Sequence, residues 1–128
     1  MKEGEHLKEQ NPKFTSFSLH ERLLKALDKL ELKTCTPIQA EMLPLALTGR
    51  DILASAETGS GKTIAYLLPA LQSIINKPAP DTATRCLILA PTRELAEQIE
   101  SDCKALCAFS LIKCLSLIGG LPFKEQRA

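Results

Sequence analysis

The 128-residue sequence has few aromatic residues and almost no net charge. Aromatic residues make up 4% of the chain and tryptophan is absent, which argues against a surface on which nucleic-acid bases stack one after another. The formal net charge is +1, so the chain as a whole does not attract nucleic acid. Any contact with nucleic acid must therefore come from a local site.

Long apolar runs and paired cysteine motifs are also missing. No run approaches the ~20 apolar residues that a membrane helix needs, so no membrane contact is expected. Residues 1–12 are polar, lack the apolar centre of a signal peptide, and are interpreted as a disordered leader. These features favour a cytoplasmic protein.

The cysteines are odd in number and contain no CxxC pair. They are Cys35, Cys86, Cys103, Cys107 and Cys114. Cys103 and Cys107 are spaced for one helix face and could bind a metal, but no histidine lies near them in sequence. Reduced thiols packed as small apolar groups are the favoured interpretation.

Apolar spacing and end signals predict several helices. The first is predicted to begin at Ser18, with Glu21 completing a capping box, and to end near Leu30. The second begins at Thr36 and ends at Gly49. Both helices precede the first apolar strand.

The rest of the chain alternates short apolar runs with longer helical patterns. Helices are predicted at 62–76 and 93–106, and Pro69 should kink or break the first of them. A further helix would begin within 121–128. The apolar runs predict buried strands at 51–55, 85–90 and 111–118. This order predicts an incomplete α/β fold with a parallel sheet between helix layers.

The strongest motif is the small-residue loop between the first strand and the helix that follows. We call this segment the phosphate loop. Its residues are Ala56, Glu57, Thr58, Gly59, Ser60, Gly61, Lys62 and Thr63. They match G-x-x-x-x-G-K-[ST] except at Ala56, and glycines here let backbone amides surround phosphate oxygens. Lys62 would reach the β- and γ-phosphates, and Thr63 would bind Mg²⁺. The alternative is a glycine-rich turn followed by a solvated lysine.

Four motifs in order resemble those of DEAD-box RNA helicases. They lie at 31–39 (with Phe14 upstream), 56–63, 91–96 and 119–120, and correspond to the Q motif, motif I, motif Ia and the GG motif. The resemblance covers about residues 14–128. It implies that residues 13–128 form part of the first RecA-like domain of the P-loop NTPase type. The stretch 65–71 is similar to bacterial members of the family.

The resemblance also implies roles in nucleotide binding. Gln39 would read the adenine edge of ATP, Phe14 would stack on the adenine ring, and Thr36 would tie the Q motif to the phosphate loop. Without the family, Thr36 and Gln39 would form a plain capping box, and Phe14 would be a core residue.

The resemblance also implies that two motifs bind RNA. They would contact the RNA backbone without sequence preference. Pro91, Thr92 and Arg93 lie where a strand meets a helix N-terminus, which can bind a backbone phosphate. Gly119 and Gly120 would let RNA approach the main chain. The alternatives are an ordinary helix cap with a surface arginine, and a simple turn.

Two positions depart from the family pattern. Glu31 stands where the family usually has glycine, and Cys35 stands where it usually has proline. Glu31 therefore suggests a different turn, and the backbone contact from Lys33 to adenine is less firmly implied.

Residues needed for ATP hydrolysis are not found in this sequence. Such sites use an aspartate at a strand end to hold Mg²⁺ and a carboxylate to position water. The aspartates are Asp28, Asp51, Asp81 and Asp102, and none ends an apolar run or precedes a glutamate. We expect a monomeric fragment that binds nucleotide without hydrolysing it, within an RNA helicase whose second RecA-like domain lies elsewhere. Rival interpretations are a non-catalytic binding or interaction module and another P-loop NTPase or kinase.

Overall fold

A computed structural model describes residues 11–80 and 83–120. A short 3-10 helix precedes four α-helices. They are Phe14–Ser16 (3-10), α1 Glu21–Lys29, α2 Pro37–Ala46, α3 Lys62–Asn76 and α4 Arg93–Leu106. The predictions of helices at 62–76 and 93–106 are confirmed to the residue. Most of the predicted leader, and all of the predicted helix within 121–128, lie outside the described residues. Within the described ranges, no helix has the length and apolar character needed to cross a membrane.

The start of α1 was predicted wrongly. The N-cap is His20, whose side chain accepts a hydrogen bond from the Arg22 amide, and Ser18 lies outside the helix. The side chain of Gln72 explains the difference. Its Oε1 accepts from the His20 amide and its Nε2 donates to the Ser18 carbonyl, each at 2.6 Å. This bridge from α3 holds the preceding residues outside the helix. The predicted end near Leu30 is confirmed.

The other helix boundaries follow local signals. Thr36 caps α2 and Pro37 occupies its first turn. After α2 the chain turns through Gly49, which has the left-handed φ of 86° and whose amide donates to the Ala46 carbonyl. Helix α3 continues through Pro69, so a break there is wrong, while the kink stays a prediction.

The three predicted strands do not pair into a sheet in the part of the chain that the structure describes. Residues 51–55, 85–90 and 111–117 do not pair as strands with any described segment. A strand requires a neighbour about 4.8 Å away, and an apolar run indicates burial without supplying that neighbour. Burial nevertheless alternates along 111–118 as in a strand: Ile112 packs against the core, while Leu111 is 93% exposed.

The core lies among the helices. Helix α2 packs against α3, α3 against α4, and α1 against α4. Each fully buried leucine contributes roughly 1.5–3 kcal/mol to stability. The most deeply buried leucines are Leu23, Leu27, Leu43, Leu67, Leu68 and Leu106. The contact between α2 and α3 places the Q motif beside the phosphate loop.

Glu31 adopts the left-handed conformation that glycine favours, with φ 59°. Glycine would adopt this φ without strain, and the different turn suggested for Glu31 stays a prediction. A non-glycine residue in this region costs about 1–2 kcal/mol, whereas glycine costs about 0.5–1 kcal/mol in unfolded-chain entropy. We expect Glu31→Gly to raise the free energy of unfolding by about 0.5–1 kcal/mol, measured by urea denaturation.

The control for this prediction is Glu41→Gly. Glu41 is exposed within α2, so glycine there should lower the free energy of unfolding by about 1 kcal/mol. A loss of stability in Glu31→Gly equal to that in Glu41→Gly would show that the left-handed conformation carries no strain.

Candidate functional site

The phosphate loop ends at the N-terminus of α3 in a conformation that requires glycine. Gly59 has φ 82°, and Gly61, the N-cap of α3, has φ 86°. The first amides of a helix have no partner within the helix. The amides of Lys62 and Thr63 are therefore available to an anion, and the helix dipole places partial positive charge beside them.

Two side chains of the loop indicate what it can bind. Lys62 Nζ donates to the Ala56 carbonyl at 2.5 Å, so the ammonium group folds back over the loop. Ser60 Oγ is buried and has no hydrogen-bond partner among the described residues. A buried polar atom without a partner is costly. Together with the free amides, the ammonium and this hydroxyl fit the oxygens of a nucleotide's phosphates.

Gln39 joins the Q motif to the phosphate loop. Its Oε1 accepts from the Thr36 amide at 2.8 Å, and its Nε2 donates to the Gly61 carbonyl at 3.1 Å. The residue is 4% exposed and is the only buried polar residue in the described part of the chain. Because a glutamine amide offers two donors and two acceptor sites, one of each remains for a ligand.

Gly61 lies directly against two residues of the Q motif, Thr36 and Gln39. A Cβ atom on Gly61 would lie 2.4 Å from Gln39 Nε2 and 2.9 Å from Thr36 Oγ1. Thr36 and Gln39 occupy the two positions of a capping box. Of its two hydrogen bonds, the one from the Thr36 amide to Gln39 Oε1 has normal geometry. Thr36 Oγ1 is buried without a hydrogen-bond partner among the described residues. The hydrogen bond between the two motifs is therefore made by Gln39, with Thr36 in close packing beside it.

The segment around Phe14 is held against the start of the Q motif. The Phe14 amide donates to the Lys33 carbonyl at 3.0 Å, and the Cys35 amide donates to the Pro12 carbonyl at 2.9 Å. A proline at position 35 could not make the second bond. Phe14 is 2% exposed and belongs to the core. Its stacking on adenine stays a prediction.

The residues expected to contact RNA come together at one place. Thr92 caps α4, and its hydroxyl accepts from the Leu95 amide at 3.2 Å. Arg93 Nη2 donates to the Gly119 carbonyl at 3.3 Å, and Gly120 lies beside the same guanidinium group. The structure thus brings motif Ia and the GG motif, 26 residues apart, into direct contact.

Two contacts outside the nucleotide site were not predicted from the sequence. Gln72 bridges Ser18 and His20, and Cys114 lies beside Cys103 and Cys107. Neither contact has a local signal, since each joins residues that are distant in sequence or on different elements.

The family model for DEAD/DEAH box helicases matches residues 36–128. A DEAD-box ATP-dependent RNA helicase 28 from Arabidopsis thaliana is 52% identical over 113 residues, covering 88% of this chain and 14% of that protein. The bacterial ATP-dependent RNA helicase RhlB from Serratia proteamaculans is 45% identical over 125 residues, covering 94% of this chain and 29% of that protein.

The structural comparison agrees with the sequence comparison. The crystal structure of the RNA helicase Prp28 from Chaetomium thermophilum bound to ADP aligns with TM-score 0.78 and 40% identity, covering 85% of this chain and 27% of that one. This similarity confirms the predicted fold class, an incomplete α/β three-layer fold of the RecA-like P-loop type. The chain belongs to the DEAD/DEAH box helicase family.

Proposed function

We propose that the chain is the ATP-binding part of the first RecA-like domain of an ATP-dependent RNA helicase. In the whole protein, ATP would close two RecA-like domains over RNA, bend one strand and separate short duplexes. The observation that carries the proposal is the bond from Gln39 to the Gly61 carbonyl, because it joins a base-reading amide to a loop shaped for phosphates. The ADP-bound helicase with the same fold supports it.

The nucleotide would be held from two sides. The loop 56–63 would surround the phosphates, with Lys62 on the β- and γ-phosphates. The remaining donor and acceptor of Gln39 would read the adenine edge, and Phe14 would stack on the ring. Thr63 would hold Mg²⁺, which neutralises phosphate charge when bound. Lys62 and Thr63 are the residues of this chain assigned to the reaction.

RNA would bind through its backbone at the contact between motif Ia and the GG motif. Thr92 and Arg93 present a helix N-terminus and a guanidinium group to the RNA backbone. The preceding Pro91 has no amide N–H group. Gly119 and Gly120 have no side chains, so RNA could approach their main chain beside Arg93. The second RecA-like domain would supply the other half of the RNA cleft, in a cytoplasmic protein.

The 128-residue chain alone should bind nucleotide as a monomer without hydrolysing it. Its four aspartates do not follow the pattern that such hydrolysis uses, as described above. A non-catalytic binding module is therefore the second candidate for the fragment, and it shares the same nucleotide site.

Calorimetric titration with ADP and GDP tests the proposal. We expect ADP to bind more tightly than GDP, because the Gln39 amide matches the adenine edge. Lys62→Ala should weaken ADP binding by about tenfold or more, since a hydrogen bond from a charged group contributes about 1.5–3 kcal/mol.

The control is Lys77→Ala, because Lys77 caps the opposite end of α3 and should not affect the affinity for ADP. Equal affinities for ADP and GDP would remove the adenine-reading role of Gln39. An unchanged ADP affinity in Lys62→Ala would remove the phosphate-binding role of the loop.

A further inference from the structure

Three cysteine thiols converge outside the nucleotide site. Cys103 and Cys107 lie at the end of α4 and at its C-cap, on one helix face because they are four residues apart. Cys114 comes from the segment 111–118. The three Sγ atoms all lie within 4.8 Å of one another, and those of Cys107 and Cys114 are 3.8 Å apart.

These separations suit metal coordination. Sulfurs that each lie about 2.3 Å from a tetrahedral zinc ion are about 3.8 Å apart, which is the separation of Cys107 and Cys114. A disulfide would require about 2.05 Å. All three sulfurs lie close enough together to be ligands of one cation.

Charged groups lie close to the cluster. Lys104 and Glu100 both lie near Cys114. Glu100 is paired with Lys104 and accepts a hydrogen bond from the Ser116 hydroxyl.

We propose that Cys103, Cys107 and Cys114 form a three-thiolate site for zinc or a similar thiophilic divalent cation, with the fourth position open to water. Each metal–sulfur bond forms as a thiol proton is released to solvent, since the thiolate is the ligand. The bound ion would link the end of α4 to the segment 111–118. It would hold in place the segment that ends at the Gly119–Arg93 contact.

Titration of the metal-free 128-residue chain with Co²⁺ tests this site. We expect one equivalent to produce sulfur-to-cobalt charge-transfer absorption and the d–d bands of tetrahedral Co²⁺, both removed by Zn²⁺. Cys114→Ser should weaken Co²⁺ binding by more than the roughly 10–100-fold typical of losing an outer-shell partner. Cys103→Ser should do the same, and it keeps the test decisive if Cys114→Ser does not fold.

The matched control is Cys35→Ala, which removes a buried thiol outside the cluster and should leave Co²⁺ binding unchanged. Circular dichroism would verify that each variant is folded. The site is refuted by a wild-type chain that gives no charge-transfer band, or by a band that persists after all three cysteines are replaced.

Discussion

Gly61→Ala is expected to lower the free energy of unfolding by about 1.5–4 kcal/mol and to abolish measurable ADP binding. Two costs add at this position. The left-handed φ of 86° costs about 0.5–1 kcal/mol for alanine, net of the unfolded-chain entropy that glycine loses. The new Cβ would lie 2.4 Å from Gln39 Nε2, so Gln39 or the loop must move, and such overpacking costs about 1–3 kcal/mol. Urea denaturation followed by circular dichroism measures the loss.

Gly49→Ala separates the two costs. Gly49 also has φ 86°, and a Cβ there would meet no atom within 4 Å. Its loss should therefore be the net conformational cost alone, about 0.5–1 kcal/mol, and ADP binding should persist. Equal losses at Gly49 and Gly61 would mean that the contact between the phosphate loop and the Q motif is not tight.

Gln39→Leu is expected to cost about 1.5–4.5 kcal/mol of stability and to weaken ADP binding strongly. Leucine preserves most of the buried volume but leaves the Thr36 amide without its partner, and the Gly61 carbonyl keeps only the hydrogen bond from the Ala65 amide. A buried group left unsatisfied costs about 1–3 kcal/mol, and a lost hydrogen bond costs about 0.5–1.5 kcal/mol. Because Gly61 is also the N-cap of α3, the loss should extend to the phosphate loop. Denaturation and ADP calorimetry on the same variant measure both effects.

The chain contains a matched control for Gln39→Leu. Gln72 is a second glutamine that makes two hydrogen bonds with the main chain, to the His20 amide and the Ser18 carbonyl. It lies ten residues after Lys62 in α3, about 15 Å along the helix. Gln72→Leu should lower stability and leave ADP affinity unchanged. A comparable loss of ADP affinity in both variants would show that Gln39 acts only through global stability.

Several features were predictable because short-range interactions decide them. Helices α3 and α4 were predicted with their observed bounds, since apolar spacing and cap residues lie within the segments themselves. The glycines of the phosphate loop were identified for the same reason, because positive φ at Gly59 and Gly61 is a local requirement. The family motifs then indicated which residues would lie near the nucleotide.

Features that depend on distant partners were missed. The start of α1 was placed at Ser18 because the capping pattern is present there, but Gln72 of α3 overrides it. The strands at 51–55 and 85–90 were predicted from apolar runs, yet Leu53 is 103% exposed and no described neighbour pairs with either run. An apolar pattern shows what a segment prefers to contact, and a ladder also requires a second chain segment at the right distance.

The order of residues alone thus determined the helices and the phosphate loop, because propensity, capping and glycine conformation act within a few residues. Tertiary structure decided which distant groups meet: Gln39 with the Gly61 carbonyl, Arg93 with Gly119, and Cys114 with the cysteines of α4. These contacts depend on how the helices pack and on where the connecting segments return. Such packing is a property of many residues together and has no signature in any one motif.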